Sequence, residues 1–422
     1  MTGKYTLIFD GNFWLHKTYF IGQKIKQGKP FNFIEEPEAD KNLLLWKLAL
    51  DFSAEIKRFE GITNRIVYTI DSSSWRKQFL DSQYKANRTK SSDIDWGKIY
   101  EVHDEFVKAL EAQGITISRI RGAEADDLIF AWSSFLNQQE QNTLIISGDN
   151  DLLQLCNMDR SSNANTLYYN KFDKNIHTFQ GFKTWLGEDD KATSGDIFNM
   201  PVDIISNTKI HLRDIIRKGK MKIDEVNTNE FIFKKVLTGD AGDNVPPLYS
   251  YIKETKGGPR NYKVTPNQAN KVLDAFKENR VFVNQSHLFN DDTITDICKL
   301  AKELIKIPED IEAIKTKWKL NRDLVFLHKS CIPDEINTLM FAQVEERFKK
   351  TLSGSDVHNI MNKDNILKES SYTPDNDNSF NDSSIFRTSM KTSNKKNPVS
   401  NVIIKKEEHS KGFDDTFLKG LL

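Results

Sequence analysis

Three short runs of apolar, β-prone residues constrain the fold of this chain most strongly, because an aspartate follows each of them within two residues. The runs cover residues 5–9, 66–70 and 144–147, and the aspartates are Asp10, Asp71 and Asp149. Continuous apolar runs are typical of strands that are covered on both faces. The segments at 41–59, 96–113 and 123–136 have the apolar spacing of helices. The pattern predicts an α/β domain with a central, mostly parallel sheet.

Acidic residues occur in five separate segments that such a fold would bring to one cleft. In a parallel sheet the carboxyl ends of the strands meet at one edge, which is where ligands bind. A predicted helix begins with a further acidic group, and a glycine-bearing turn near the middle of the chain adds two more acids. The candidate set is Asp10, Asp71, Glu124, Asp126, Asp127, Asp149, Asp151, Asp240 and Asp243.

This set of side chains points to a particular kind of ion. Carboxylates a few ångströms apart raise each other's pKa, and hard divalent cations such as Mg²⁺ or Mn²⁺ accept oxygen ligands. Histidine and cysteine are absent from the five segments, which argues against zinc. The sequence therefore predicts a site for two Mg²⁺ ions, with Mn²⁺ as a substitute, of the kind that cleaves phosphodiesters in line.

Each acidic residue also has a simpler interpretation. A single aspartate after a strand is most often a helix N-cap or a turn residue. Asp126 and Asp127 would suit the positive end of a helix dipole, and Asp240 and Asp243 would suit an ordinary turn. It is the joint occurrence in five segments that favours a metal site.

A basic and aromatic segment follows Asp71 directly. Its basic residues are Arg76, Lys77, Lys85, Arg88 and Lys90, and its aromatic residues are Trp75, Phe79 and Tyr84. Cations beside rings suit a single nucleic-acid strand, since cations follow phosphates and rings stack on bases. Lys85 and Arg88 could also stabilise negative charge that develops on a phosphate. The alternative is a solvated surface loop with one buried tryptophan.

A second basic segment lies near residue 260 and contains a glycine turn. Its candidate nucleic-acid-binding residues are Lys253, Lys256, Arg260 and Lys263. A glycine turn that leads into a helix offers backbone N–H groups to a phosphate. An ordinary solvated face is the alternative here.

The composition and the predicted secondary structure change along the chain. We predict an α/β domain over residues 1–200, a mostly helical domain over 201–350 and a disordered linker over 351–400, where Ser, Asn and Asp make up 23 of the 50 residues. Residues 401–422 are amphipathic. They suggest a docking peptide in which Phe413, Phe417 and Leu418 bind a sliding clamp or a single-strand-binding protein. The alternative is that this peptide folds back on the nuclease.

Composition excludes several classes of protein. The 60 basic and 60 acidic residues balance, so the chain is not a polycation that binds nucleic acid by bulk attraction. Its three cysteines are widely spaced, which argues against a disulfide framework and favours a reducing compartment. We expect no secretory leader, no membrane span and a cytoplasmic location.

The ordered motifs also resemble a known family. IFDGN, TIDSSSWRKQF, YKANR, RGAEADDLI, ISGDNDLLQL and LTGDAGDNVP are similar to the flap endonuclease/5′→3′ exonuclease superfamily over about residues 4–345. The similarity is closest to its phage enzymes, including ribonucleases H. The resemblance implies a PIN-like nuclease domain over residues 1–200 with a helical arch. It also implies a helical duplex-binding domain over residues 201–350 with a helix–three-turn–helix element. It also implies removal of RNA primers and adjoining DNA from lagging strands in the cytoplasm of an infected host.

The resemblance assigns roles to individual residues. The first metal would be held by Asp10, Asp71, Glu124, Asp126 and Asp149, and the second by Asp151, Asp240 and Asp243. Arg76, Tyr84, Lys85 and Arg88 match the arch that grips the 5′ end and the scissile phosphate. Residues 238–276 correspond to the helix–three-turn–helix element. In the family, that element often holds a potassium ion. The sequence after Asn244 departs from the family pattern, so whether this chain has a potassium site stays open.

The implied substrates are RNA–DNA hybrids and DNA duplexes with 5′ ends or flaps, cut by a monomer. Two other functions stay open on the residues alone. A PIN-type ribonuclease that acts on RNA would have a similar acidic cluster. A non-catalytic replication scaffold that binds branched DNA could recruit partners through its tail.

Overall fold

A sheet of eight strands forms the centre of the molecule. The computed structural model describes residues 4–26, 31–88, 94–158, 164–186, 202–255, 257–278, 285–350 and 362–373. The strands are β1 Tyr5–Asp10, β2 Thr63–Thr69, β3 Thr116–Ser118, β4 Asn142–Ser147, β5 Asn157–Met158, β6 Asn165–Asn170, β7 Asn175–Phe179 and β8 Ile223–Val226. Their order is β3-β2-β1-β4-β6-β7-β8, and β5 pairs with β6.

Most pairs of neighbouring strands in this sheet are parallel. Only β6–β7 and β5–β6 are antiparallel, whereas β1 lies parallel to β2 on one side and to β4 on the other. In that register Phe9 lies opposite Tyr68 and Ile146. Because these three strands end at the same level, the residues that follow them share one edge of the sheet. The predicted α/β fold with a mostly parallel central sheet is confirmed.

Helices cover both faces of the sheet. They are α1 Gly11–Ile25, α2 Pro37–Arg58, α3 Trp75–Phe79, α4 Trp96–Ala112, α5 Ala125–Gln138, α6 Phe182–Leu186, α7 Val202–Gly219, α8 Thr228–Thr238, α9 Pro266–Glu278, α10 Asp291–Ile305, α11 Ile311–Val325, α12 Asp334–Lys350 and α13 Lys363–Lys368. In the described part of the chain, none of these is long and apolar enough to cross a membrane.

Alternating side chains of β1 supply two separate cores. Leu7 and Phe9 pack with residues of α1, α2 and α4, whereas Ile8 packs with residues of α5 and α12. All three are fully buried. The side-chain period of two places neighbours on opposite faces, which is why a strand that is buried along its whole length lies between two helical layers.

A third core joins α8, α9, α10 and α11. Phe233 and Trp318 meet at its centre, with ring centroids 5.5 Å apart in an edge-on arrangement. Between α8 and α9 lies a two-stranded hairpin, β9 Ser250–Thr255 and β10 Gly258–Lys263. The boundaries of this helical unit differ from the predicted 201–350. Strand β8 completes the central sheet by pairing with β7, and α12 packs on α5.

Part of the predicted linker is ordered. Residues 362–373 form α13 and a short extension that contacts α2 and α4. Ile366 and Leu367 are buried there, and the Asn42 side-chain amide donates to the Thr373 carbonyl at 2.9 Å. Two adjacent apolar residues anchor this segment, although the composition around them favours disorder. The remainder of 351–400, and 401–422 with its three predicted docking residues, lie outside the described residues.

Candidate functional site

The carboxyl edge of the sheet brings together four of the predicted acidic residues. Burial raises the pKa of Asp126 well above its usual range, and three nearby carboxylates raise it further. These are Asp149, Asp10 and Asp71. Burial also raises the pKa of Asp10 to about 7, with smaller contributions from Asp71 and Asp149 in the same direction. Residues from three strand ends and from the start of α5 therefore share one site, which we call the acidic cluster.

Backbone capping positions three of these side chains. The Asp10 carboxylate accepts from the Phe13 N–H at 3.0 Å and from the Ser147 hydroxyl at 2.7 Å. Asp71 accepts from the Ala125 N–H at 2.6 Å, which ties the end of β2 to the start of α5. Asp149 caps a 3₁₀ helix that begins at Asn150. These aspartates therefore accept hydrogen bonds as caps, which was the simpler interpretation of their positions in the sequence, and they also converge at one edge of the sheet.

Asp126 differs from its neighbours in the acidic cluster. Within the described residues its carboxylate has no hydrogen-bond or ion-pair partner, and it is half-buried. The helix start that carries it is held by a reciprocal capping box between Glu124 and Asp127. Asp126 is therefore rigidly placed, although its oxygens are not used by the fold.

A basic group lies directly beside the acidic cluster. The Lys85 ammonium is 2.5 Å from Glu124 Oε1 and 3.7 Å from Asp243 Oδ2. The Tyr84 hydroxyl donates to Asp243 Oδ2 at 2.8 Å, and Arg88 also pairs with Asp243. Burial opposes ionisation of Glu124, but Lys85 and Arg76 outweigh it and hold the pKa of this carboxyl below its usual value.

The backbone fixes Lys85 at this position. Its φ of 55° lies in the left-handed region, which is uncommon for a residue with a side chain. The Lys85 N–H donates to the Asp243 carbonyl at 2.8 Å. This contact and the hydrogen bond from the Tyr84 hydroxyl to Asp243 hold the turn against the segment that carries Asp240 and Asp243.

The remaining acids share a lysine that the sequence analysis missed. Lys235 of α8 pairs with Asp151 and lies 2.8 Å from Asp240. Burial raises the pKa of Asp151 to about 7, Asp149 adds to the rise, and Lys235 opposes it. The sequence signal was a lysine in the last helical turns before an acidic turn. Nothing in its spacing connects it to Asp151, which is 84 residues away.

With this geometry in view, residues 5–183 match the family described as 5′-3′ exonuclease, N-terminal resolvase-like domain. The matched span contains β1 to β7, α5 and the acidic cluster. Residues 5–183 are therefore similar to the N-terminal domain of 5′-3′ exonucleases. The family resemblance found in the sequence motifs is confirmed.

Several known proteins are similar to this chain. A 5′-3′ exonuclease of Buchnera aphidicola subsp. Schizaphis graminum is 29% identical over 168 residues, 39% of this chain and 52% of that protein. A 5′-3′ exonuclease of Buchnera aphidicola subsp. Acyrthosiphon pisum is 30% identical over 154 residues, 35% of this chain and 48% of that protein. The chain thus spans about half the length of these relatives.

One solved structure that is similar to this chain is that of the T5 D15 protein co-crystallized with metal ions. It has a TM-score of 0.46 and 15% sequence identity to this chain, and the alignment covers 82% of this chain and 99% of that one.

Two residues of the exonuclease domain have surroundings that differ from prediction. Arg76 is 2% exposed and Asp127 is fully buried, with an Arg76 nitrogen 2.8 Å from the Asp127 carboxylate. Trp75 Nε1 donates to Asp127 at 2.9 Å, and Arg76 Nε donates to the Leu324 carbonyl at 2.9 Å. Both Asp127 oxygens already accept hydrogen bonds within the fold, and Arg76 is too deeply buried to reach a nucleic acid from this position. Arg76 instead joins Asp127 to the end of α11.

The other predicted nucleic-acid-binding residues divide by exposure. Lys77 is exposed, the Arg88 side chain is 55% exposed, and Tyr84 is buried against Lys85. Lys253, Arg260 and Lys263 are exposed on the hairpin. Lys90 and Lys256 lie outside the described residues, as do positions 89–93 of the predicted helical arch.

The donor chemistry of the acidic cluster fits a hard divalent cation. Every candidate ligand is a carboxylate. Burial, together with neighbouring carboxylates, raises the pKa of Asp10 and Asp126, and a nearby cation would offset both effects. Among the described residues, no three carboxylate, imidazole or thiol groups form a closed set around one point. Lys85, Arg88 and Lys235 lie among the outer acids and neutralise them.

Proposed function

We propose that this chain is a divalent-metal-dependent 5′→3′ exonuclease and flap endonuclease with ribonuclease H activity. Its substrates would be RNA–DNA hybrids and DNA duplexes with 5′ ends or flaps. The observation that supports this most directly is the convergence of Asp10, Asp71, Asp126 and Asp149 beside Lys85 within an exonuclease-family domain. Its role would be the removal of RNA primers and adjoining DNA during phage lagging-strand replication.

The acidic cluster would hold one Mg²⁺ ion, with Mn²⁺ as a substitute. Asp151, Asp240 and Asp243 would hold a second ion once Lys235 and Arg88 move aside. Such ions neutralise phosphate charge and lower the pKa of water. Glu124 lies between the two groups of acids, where it contacts Lys85 at 2.5 Å.

The chain's own residues would position the scissile phosphate. Lys85 and Arg88 are both held by carboxylates at the edge of the acidic cluster. A phosphate is an equivalent anionic partner, so it could take over these contacts. Cations placed in advance stabilise charge that develops in the transition state. The buried Tyr84 hydroxyl keeps Asp243 oriented during this exchange.

Product mapping tests the proposed activity. Three 5′-labelled duplexes and a labelled single-stranded RNA would be incubated with the full chain. The duplexes are an RNA-primed duplex, a flapped duplex and a nicked duplex. We expect cleavage near the 5′ end or flap junction in Mg²⁺ or Mn²⁺ and none in EDTA. Cutting of single-stranded RNA alone would favour the PIN-type ribonuclease. Uncut substrates in both metals, together with binding of branched DNA, would favour the scaffold.

Lys235 provides a prediction about the second group of acids. In Lys235→Gln the pair Asp151 and Asp240 loses its cation, so a divalent ion no longer competes with an ammonium group. We expect Mn²⁺ to bind about tenfold more tightly, as measured by calorimetry without nucleic acid. Lys234→Gln, on the next position of α8, is the matched control. Unchanged or weaker Mn²⁺ binding in Lys235→Gln would show that these acids do not hold the ion.

The tail provides a separate prediction. Deleting residues 401–422 is expected to abolish capture of a sliding clamp or single-strand-binding protein and to leave cleavage of a nicked duplex unchanged. The deletion leaves the contact between Asn42 and Thr373 in place. A pull-down with purified clamp or single-strand-binding protein measures the first effect. Equal capture by both forms of the chain would contradict the docking peptide.

A further inference from the structure

The β9–β10 hairpin exposes more apolar surface than its surroundings. It leaves the turn that carries Asp240 and Asp243, and it returns to the start of α9. Two strands of six residues give it a length of about 20 Å. Tyr251 is 42% exposed, Ile252 is 70% exposed and Tyr262 is 41% exposed. Such a concentration of exposed apolar side chains marks an interaction site more often than scattered ones do.

The register of the hairpin sorts its side chains onto two faces. Tyr251 lies opposite Tyr262, and Lys253 lies opposite Arg260 two residues farther along. Because side chains alternate with a period of two, these four residues share one face. We call it the tyrosine face. Ile252 lies on the other face.

The tyrosine face carries a row of stacked rings. The centroids of Tyr251 and Tyr262 are 5.1 Å apart, and their planes differ by 13°. Tyr249 continues the row at 5.5 Å from Tyr251. Among the described residues no further ring contacts Tyr262, so the row ends at a partly exposed aromatic surface.

Two cations beside this row have no counter-charge. Lys253 and Arg260 are exposed and directly opposite each other, and like charges in that arrangement are destabilising. Neither side chain has a carboxylate partner in the described part of the chain, and the neighbouring Glu254 lies on the other face. A phosphate between the two cations would remove the repulsion.

We propose that the tyrosine face binds a single strand of nucleic acid, with a base stacked on Tyr262 and a phosphate between Lys253 and Arg260. A single strand fits better than a duplex because its bases still have free faces. The inference rests on the proposed function for its identification of the strand, which would be the one whose 5′ end is cut. It gives the three tyrosines a role that the basic residues alone do not suggest.

Binding to a fluorescein-labelled oligothymidylate of 12 nucleotides tests the stacking part. The full chain would be titrated in EDTA, so that no strand is cut, and anisotropy would report binding. We expect Tyr262→Ala to bind about tenfold more weakly, because base stacking on an aromatic ring contributes about 1–3 kcal/mol. Tyr262→Phe keeps the ring and is expected to bind like the unaltered chain. Ile252→Ala, an exposed apolar residue on the other face, is the matched control.

Salt dependence tests the phosphate part with a second variant. Combining Lys253→Gln with Arg260→Gln relieves a repulsion and so should preserve the hairpin. The slope of log affinity against log salt is expected to become shallower by about 0.7, because one phosphate contact on a single strand is lost. Tyr262→Ala should leave the slope unchanged. Lys299→Gln, on an exposed position of α10, is the charge control.

The outcomes separate this inference from the proposed function. Equal affinity of Tyr262→Ala and the unaltered chain, or an equal loss on a 12-base-pair duplex, would overturn the single-strand site. Cleavage of a nicked duplex in Mg²⁺ would be measured on the same preparations. A chain that binds as expected but never cuts would overturn the nuclease and leave the tyrosine face standing.

Discussion

Replacing Asp126 with asparagine is expected to abolish Mg²⁺-dependent cleavage while leaving duplex binding intact. The Asp126 carboxylate has no partner in the described structure and lies among three other carboxylates. The amide keeps the size of the side chain but removes the negative charge that a divalent ion requires. Loss of several kcal/mol of transition-state stabilisation corresponds to a rate loss of at least about 10³-fold. Single-turnover cleavage of a labelled flapped duplex measures the rate, and anisotropy in EDTA measures binding.

The design of this test depends on the surroundings of Asp126. Since its oxygens contribute no hydrogen bond to the fold, Asp126→Asn should not lower the unfolding temperature. Relief of like-charge repulsion could even raise it. Asp149→Asn should also lose activity, although it weakens the cap of the following 3₁₀ helix. Asp292→Asn, on the exposed first turn of α10, is the matched control. Substantial Mg²⁺-dependent cleavage by both Asp126→Asn and Asp149→Asn would refute the metal site.

The acidic cluster could be predicted from sequence because each of its members is tied to a local signal. Asp10, Asp71 and Asp149 follow apolar strands, and a parallel sheet brings such positions to one edge whatever else the chain does. Asp126 begins a helix whose preceding loop returns to the same edge. In each case the position depends on a strand or helix that can be recognised over a few residues.

The other contacts depend on pairings between distant segments. Arg76 follows Asp71 closely and has basic neighbours, so its sequence resembles that of an exposed arch. Its burial depends on the Leu324 carbonyl, 248 residues away. Lys235 reaches Asp151 only because α8 packs on the 3₁₀ helix after β4. Composition cannot distinguish an arginine that binds phosphate from one that binds a buried carboxylate.

Replacing Arg76 with alanine is expected to destabilise the protein by about 3–5 kcal/mol, because it leaves a buried carboxylate without its partner. Asp127 would lose two hydrogen bonds from the guanidinium, at 3.1 and 2.8 Å. The Leu324 carbonyl would lose its donor at 2.9 Å. Arg76→Lys should recover only part of this, since one ammonium cannot replace a planar group that reaches acceptors in two directions.

Urea unfolding followed by tryptophan fluorescence measures this effect, with Trp75 donating to the same Asp127 carboxylate at 2.9 Å. Lys77→Ala is the matched control, because Lys77 is the next residue and is exposed. Its replacement should change stability by less than about 0.5 kcal/mol. If Arg76 instead faced nucleic acid, Arg76→Ala would behave like Lys77→Ala in urea and would weaken only binding. Because Arg76 joins α3 and α5 to the last residues of α11, its loss should loosen the helical unit from the sheet as well as from the acidic cluster.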